Sequence, residues 1–520
     1  MTPTKVPRVS ANRVTQYFSR NFSASYRRHS ELPRPPTAPK PVPDVKLIRE
    51  NVALFARNCV DRNYAAYAEY PDRIRKLAQE ATLVVEELKT PRRKIKEVEK
   101  SIARIAPQKG KSAETKQQLA SLLHEAQELK NASEDALAHK ERIDDEIQRL
   151  ALALPNLSSS ETPVGDEPRL VRYINFDPDH PPSWVNQAPN NGDRSHVAIG
   201  TSLGLIDFTS SATSTGWGWY FLTNEGALLE QALVQYAMSV ALRRGWKAVS
   251  PPSIVYSYIA EACGYQPRDQ NDEQQIWSIQ QSEKDKGKPQ RSLAGTAEIP
   301  LAAMHAGRDI EEASLPLKLV GASRCYRAEA GARGVDTKGL YRVHEFTKVE
   351  LFGWSDNIKG DHSDHASLTS NPATDELYNE LLDIQTEILT SLGLPCRILE
   401  MPTTDLGASA TRKRDIEALF PSRLRVSAES NTPDLETAWG EVTSASMCTD
   451  YQSRRLGTRV RGRDGKNARY PHTVNGTAMA VPRVLAAILE NNWDATRGVV
   501  IIPEVLRNWM GGLEVIGRRP

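Results

Sequence analysis

Two blocks of this sequence repeat their apolar residues every 3.5 positions on average, and that spacing leaves little choice of local fold. The first block runs through Ile74, Leu77, Ala81, Val84, Leu88, Ile95, Val98, Ile102 and Ile105. The second runs through Leu119, Leu122, Ala126, Leu129, Ala136, Ile143, Ile147 and Leu150. Apolar residues alternately three and four apart line one stripe of an α-helix, so each block predicts a long helix whose stripe needs a partner. The polar segment from Pro107 to Ala113 turns the chain back between them, which gives an antiparallel coiled-coil hairpin. With a rise of about 1.5 Å per residue each helix reaches about 50 Å. Such an arm is too thin to be a globular core. Pro91 lies inside the first block, where a missing N–H and a crowded preceding turn predict a kink or a loosened turn.

The far half of the arm is basic, with ten Lys or Arg against three acidic residues between Lys89 and Lys116. A run of this kind is ordinarily a solvated face, and a phosphate-binding surface is the alternative. Upstream, residues 1–32 contain Lys5, Arg8, Arg13, Arg20, Arg27 and Arg28, many Ser and Thr, and no acidic residue before Glu31. They read as a mitochondrial presequence, with a disordered basic tail as the plainer reading. Removing the first 30 residues takes away six positive charges and no negative one, so the formal charge of +2 falls to about −4. Nucleic-acid binding by the remainder then depends on local patches rather than on net charge.

At 520 residues the chain exceeds what one core usually organises, so two or more domains are expected. Proline-rich residues 33–43 predict an extended linker, and Asp44 is placed to cap a short helix that begins near Lys46. Residues 44–155 form the helical domain with the arm. From residue 156 to 520 the pattern changes to short apolar runs, aromatics and glycines, which predicts an α+β domain. The polar stretch 355–373 is expected to be an exposed loop. No apolar run approaches the roughly 18–20 residues that cross a bilayer, so no membrane role is expected. Cys59, Cys263, Cys325, Cys396 and Cys448 are far apart in sequence and read as ordinary thiols in a reducing compartment.

The densest chemistry lies between Arg327 and Glu350, where Arg327, Glu329, Arg333, Arg342, His344, Glu345 and Lys348 crowd a segment flanked by apolar alternation. Two antiparallel strands joined by a long turn are predicted. Scattered surface charge is the bland reading, and it does not account for so many charges around one turn. Glu441 and Ser444 place a carboxylate and a hydroxyl three residues apart. The run from Asn475-Gly-Thr477 to Pro482-Arg483 passes from a glycine turn into an apolar helix with an arginine near its start. Each of these is weak alone, because capping and packing produce similar strings.

Taken together, the chain from residue 44 to 516 resembles the class II seryl-tRNA synthetases of the bacterial and mitochondrial type. Arg327-x-Glu329 through His344-Glu-Phe-x-Lys-Val-Glu350 is similar to class II motif 2 in its seryl form. Asn475-Gly-Thr477 through Pro482-Arg483 is similar to motif 3, and the approach to Val249-Ser-Pro-Pro252 resembles motif 1, the dimer-forming element. Gly295-Thr296-Ala297-Glu298 resembles the serine-binding Thr-x-Glu loop, and Trp509 to Ile516 resembles the family's C-terminus. The fold so implied is α+β: a coiled-coil arm and a catalytic domain on an antiparallel β-sheet flanked by helices.

The resemblance also implies roles. Arg327, Glu441 and Arg483 are the catalytic groups, with Arg327 on the α-phosphate of ATP and Arg483 on the γ-phosphate. Glu329 and Val343 hold the adenosine, and Glu441 and Ser444 bind Mg²⁺. Thr296, Glu298, Arg327, Glu350, Asn475 and Thr477 surround L-serine. The arm grips tRNA(Ser), the enzyme is a homodimer of the mitochondrial matrix, and neither DNA nor a membrane is a partner. Thr443 and Ala445 stand where the family commonly has Ser and Cys, which puts kinetics rather than the reaction in question. Two rival readings are a catalytically dead relative and a ligase that loads a carrier protein. The first conflicts with the full set of charged residues and the second with the long arm. A purely structural coiled coil does not fit the C-terminal two-thirds.

Overall fold

The computed structural model describes residues 34–105, 113–187, 194–265, 276–328, 339–357, 365–427, 432–462 and 468–518. The presequence expected at residues 1–32 and the site residue Glu329 lie outside these segments. Two compact units emerge, one of residues 42–158 with 403–405 and the other of the remaining chain.

The smaller unit opens with α1 (Val45–Glu50) and α2 (Val52–Asp61). The Asp44 carboxylate accepts the Leu47 N–H at 2.9 Å, which satisfies one of the free donors at the start of α1. The arm follows as α3 (Tyr70–Ile105) and α4 (Ala113–Ala153), of 36 and 41 residues. At about 1.5 Å per residue they extend about 54 and 62 Å. Ile74, Val84, Leu88, Val98 and Ile105 are buried on α3, as are Ala126, Ile143, Ile147 and Leu150 on α4. Between Leu129 and Ala136 the apolar series skips one seam position. Ser133 fills it, buried, with its hydroxyl returned to the Leu129 carbonyl at 2.8 Å. The helix also runs on through Pro91, which sits half-buried on the same seam between Leu88 and Ile95. The loosening expected there is therefore not a break: contact with α4 favours helix on both sides of the proline.

The larger unit is built on eight strands: β1 (Arg169–Ile174), β2 (Lys247–Ala248), β3 (Leu317–Tyr326), β4 (Glu345–Ser355), β5 (Cys396–Glu400), β6 (Arg412–Leu419), β7 (Trp439–Thr449) and β8 (His472–Ala480). Their order across the sheet is β1-β5-β6-β7-β8-β4-β3-β2. Every pairing is antiparallel except that of β2 with β3. Alternation along a strand separates the two faces. Val349 and Leu351 join a large core with helices α5 (Asn224–Arg243), α6 (Pro372–Ser391) and α7 (Val481–Asn491). Phe352 and Trp354 face the other way, against the short helices Ser257–Ala262 and Glu298–Ala303. Glu350 shares that second face, so its carboxylate lies on the side away from the three long helices.

Two expectations change. Part of the stretch 355–373 is helical, over His365–Thr369 and again from Pro372. Asn371 caps the latter helix by accepting the Thr374 N–H at 3.0 Å, with proline at the first helical position. Residues 34–41 of the expected linker group with the larger unit, where the Arg34 guanidinium lies 5.2 Å from the Tyr258 ring centre.

The middle of the sheet admits helix α6 closely because residue 476 lacks a side chain. A Cβ there would lie 2.5 Å from Leu381 Cδ2, 2.9 Å from the Ser444 carbonyl oxygen and 3.2 Å from Gln385 Nε2. Overpacking of this kind typically costs about 1–3 kcal/mol. Gly476→Ala is expected to lower the free energy of unfolding from urea titration by that amount, with Gly393→Ala, whose Cβ would meet nothing within 4 Å but whose φ is +69°, as a control for backbone strain without crowding.

Candidate active site

Strands β3 and β4 pair from Leu317 opposite Trp354 to Tyr326 opposite Glu345, so the chain leaves the sheet at Arg327 and returns at His344. The Arg327 N–H closes the ladder by donating to the His344 carbonyl at 2.9 Å. Among the register shifts of the neighbouring strands, one lies between Ile416 and Glu417 on β6 against β7 and another between Thr477 and Met479 on β8 against β4. Such bulges re-aim side chains. Here they fall beside Glu441 and Thr477.

A cavity open to solvent, with about 500 Å³ of space once its mouth is counted, lies on this part of the sheet, and Arg327, Val343, Glu441, Ser444, Thr477 and Arg483 all line it. Phe346, Lys348, Tyr341 and Thr443 share the wall. Arg483, in the first turn of α7, donates from Nη1 to a Glu441 carboxylate oxygen at 2.9 Å and from Nε to the Tyr341 carbonyl at 3.0 Å. Burial works against the charge on Glu441, but Arg483, Lys413 and Arg327 outweigh it and hold the carboxyl below its ordinary range. Glu441 thus stays ionised at neutral pH. The Tyr341 ring is flanked by the Arg483 guanidinium at 4.5 Å and that of Arg423 at 4.2 Å.

The remaining residues expected around serine form a buried cluster adjoining the cavity. Thr296, Glu298, Glu350, Asn475 and Thr477 are all buried. Glu350 is paired with Lys348 at 2.6 Å, and Thr477 Oγ1 lies 3.5 Å from the same carboxylate oxygen. Lys348 and Thr477 belong to both the cluster and the cavity wall, so the two are continuous. Glu298 differs from Glu350 in being bonded to neutral groups, Gln452 at 2.6 Å and Tyr265 at 3.4 Å. Burial, and then the neighbouring Glu350 charge, push its carboxyl up to about 7.

Several contributors escaped the sequence reading. Lys348 was visible only as one charge among many, although alternation places it on the Glu350 face. The two hydrogens of Gln385 Nε2, on α6, are shared among Thr443 Oγ1, the Ser444 carbonyl and the Thr477 carbonyl at 2.9, 2.8 and 2.9 Å, tying β7 to β8 behind the cavity. Glu490, fully buried on α7, accepts from Ser422 N and Oγ and from His196 N and Nδ1. His196 Nε2 in turn accepts the Leu340 N–H at 3.0 Å, so the ring is neutral with its proton on Nδ1. Gly339, at φ +68°, makes room for that ring, since a Cβ would lie 2.1 Å from Nε2. The loop returning to β4 is in this way anchored to the helix that carries Arg483. Partners 294 and 144 residues apart leave no local sequence signal.

This sheet and the charges converging on its cavity define a class II aminoacyl-tRNA synthetase core. A family model for the tRNA synthetase class II core domain (G, H, P, S and T) matches residues 281–492, and one for the seryl-tRNA synthetase N-terminal domain matches residues 42–158. The chain is 39% identical over 429 residues to the mitochondrial serine--tRNA ligase of Saccharomyces cerevisiae, covering 81% of this chain and 86% of the relative. It is 35% identical over 477 residues to the serine--tRNA ligase of Rubrobacter xylanophilus, covering 91% and 99%. The solved seryl-tRNA synthetase of Pyrococcus horikoshii complexed with ATP superposes with a TM-score of 0.74 at 29% identity, covering 92% of this chain and all of that one. The chain belongs to the seryl-tRNA synthetase family.

The raised carboxyl of Glu298 has a stability consequence whose sign is fixed. Below an ordinary glutamate value of 4.5 the group is protonated in both folded and unfolded chains and contributes nothing. Between 4.5 and about 7 only the unfolded chain ionises freely, so the fold loses stability as pH rises, and above 7 the full cost remains. Glu298→Gln is expected to gain about 3 kcal/mol of unfolding free energy relative to wild type between pH 4.5 and pH 8 without serine. Urea titrations at the two pH values check this, and a constant difference would contradict it.

Proposed function

We propose that this serine--tRNA ligase carries out both half-reactions at the one cavity, with serine seated in the adjoining cluster. The observation that carries the reading is the convergence of Arg327, Glu441 and Arg483 on a single wall that is continuous with Glu298 and Glu350.

In the first step a serine carboxylate oxygen forms a bond to the α-phosphorus of ATP, and the bond to pyrophosphate breaks. The nucleophile is already an anion at neutral pH, so the step needs alignment and charge neutralisation rather than a general base. Arg327 is assigned to the α-phosphate and Arg483 to the γ-phosphate, since planar guanidinium forks match phosphate oxygens. Arg483 is held for this by Glu441 and the Tyr341 carbonyl. Val343 and Phe346 offer an apolar wall to the adenosine, and Glu329 is assigned to its amino group. In the second step a ribose hydroxyl of the tRNA's terminal adenosine attacks the seryl carbonyl and AMP leaves.

Glu441 and Ser444 fit Mg²⁺, which prefers hard oxygen ligands, takes few protein groups and shares phosphate oxygens. The ionised state of Glu441 supports that assignment. Bound there, Mg²⁺ supplies further neutralisation of the triphosphate. The serine ammonium is assigned to Glu298 and Glu350, and its hydroxyl to the polar set of Thr296, Asn475 and Thr477. Alanine would leave those buried groups unpaired and is disfavoured for that reason.

The exposed basic residues Lys89, Arg92, Arg93, Lys94, Lys96, Lys100 and Arg104 along α3 support a role for the arm in gripping tRNA(Ser) through its phosphates and shape. We assign the enzyme to the mitochondrial matrix, acting as a homodimer. The mitochondrial relatives and the basic N-terminal residues support the first assignment, and the motif 1 likeness supports the second. Among the described residues no helix is long and apolar enough to cross a membrane.

Two variants separate the steps. Arg327→Ala is expected to reduce serine-dependent exchange of pyrophosphate into ATP by at least about 100-fold. Deleting residues 89–116 is expected to leave that exchange within about twofold while lowering kcat/KM for tRNA charging by about 100-fold or more, as lost phosphate contacts require. Equal loss of both activities in the deletion would refute the division of labour.

A further inference from the structure

At the mouth of the β3–β4 hairpin three indoles surround one imidazole. Trp217, Trp219 and Trp277 have ring centres 5.7, 5.9 and 6.0 Å from that of His344, with Trp217 and Trp277 edge-on at 81° and 82°. The ring rests on the backbone of Gly218, where a Cβ would lie 2.5 Å from His344 Cδ2, and the His344 N–H donates to the Gly218 carbonyl at 2.9 Å. A glycine between two tryptophans is what lets the imidazole sit this deep. His344 Nδ1 lies 3.1 Å from the Arg327 carbonyl oxygen, so the cluster is fixed to the backbone of the arginine whose side chain lines the catalytic cavity. The segment that carries Trp277 is tied down as well, through Leu293 N donating to the Trp277 carbonyl at 2.9 Å.

Such order is unusual for side chains left in water. Trp217 is 60% exposed and Trp277 is 42% exposed, on a rigid mount, beside the site but not lining its cavity. Large exposed aromatic faces in one place mark a binding surface. The ligation requires the last nucleotide of a flexible single-stranded tRNA end to stop beside Arg327. Bases stack on indoles with little regard to sequence, and each such contact is worth about fivefold to 100-fold in affinity.

We propose that Trp217 and Trp277 form a stacking platform for the 3′-terminal adenine of the tRNA, holding its ribose at the cavity mouth for the second step. This rests on the tRNA-ligase reading of the site. The platform is an aminoacyl-acceptor site separate from the adenosine wall used by ATP, and the His344 ring is its positioning residue.

The test uses the full-length enzyme and two serine tRNA transcripts, one ending in CCA and one trimmed of its terminal A. Wild type should bind the complete transcript about tenfold more tightly than the trimmed one. Trp217→Ala and Trp277→Ala should bind the two alike, charge with about tenfold higher KM for tRNA, and keep serine-dependent pyrophosphate exchange within about twofold. Trp217→Phe, which retains a ring face, should recover most of the difference. Variants that still discriminate between the transcripts would overturn the proposal. So would loss of exchange in Trp217→Ala, or a change in its sedimentation, which would give the patch to the active-site fold or to a second copy of this chain. Charging of the complete transcript by wild type tests the ligase reading independently of either tryptophan.

Discussion

The structure of the site depends on how charge is balanced in a space that holds little water. Arg483 is matched to Glu441 and Lys348 to Glu350 before any substrate arrives. In each pair a cation meets the carboxylate directly, which offsets the cost of taking the ion out of water. Glu298 is the informative exception. Its partners Gln452 and Tyr265 carry no charge, and its carboxyl stands near neutrality. A cluster with two carboxylates and one lysine is short of one cation, and an amino acid's ammonium has the charge and the donors to supply it. On the proposed assignment, affinity for the α-amino group then comes from relief of a cost already present in the empty site. That is a form of preorganisation: the fold bears the expense, and binding removes it.

Such a balance has geometric tolerances that the backbone must meet. Gln385 reaches from α6 to three acceptors on β7 and β8, and it can do so only because Gly476 leaves space. Thr443 uses its hydroxyl on the Thr477 carbonyl, which is why a threonine serves at this position and its extra methyl group turns into the core. Behind Arg483, the Glu490–His196–Leu340 chain joins the last turn of α7 to the loop that supplies Tyr341 and Val343 to the cavity. Buried hydrogen-bond networks are stiff, since breaking one member strands the others. The mobile chemistry of ATP and tRNA is thus met by a wall whose own parts have few alternatives.

How much of this could be read from the sequence follows from the range of each interaction. The arm was legible almost residue by residue, because a coiled-coil seam repeats within one turn of helix. Even there Ser133 was missed, since a serine fits the seam only when its hydroxyl finds the Leu129 carbonyl. The hairpin after Arg327 was legible from alternation, and the charged residues now lining the cavity were named through a family resemblance rather than through spacing. What stayed hidden was every partnership that crosses the chain: Gln452 with Glu298, His196 with Glu490, Gln385 with Thr477. Each pairs residues 92 or more positions apart, and nothing local marks a glutamine or histidine as one half of a buried pair. The helix at His365–Thr369 was hidden for another reason, because its polar composition favours a loop, and the Asn371-Pro372 signal beyond it marks only the start of the next helix.

The two compact units also divide the electrostatics into two regimes. Ion pairs on the arm, such as Lys89 with Glu86 and Arg93 with Glu97, join side chains more than half exposed. Pairs of that kind contribute little to stability and are screened within about 8 Å at physiological salt. Their basic neighbours present a diffuse field, which suits the long polyanion proposed as the arm's ligand. The charges of the Glu298, Glu350 and Lys348 cluster are instead buried, few and individually placed, and salt reaches them poorly. A single polypeptide that must hold a small zwitterion by specific bonds and a large nucleic acid by its phosphates needs both regimes. They conflict if they share one surface, because a field strong enough for tRNA would shift every carboxylate in the serine cluster. On the proposed assignment the two tasks fall to different parts of the chain, the solvated helical pair α3–α4 and the buried cluster on the sheet.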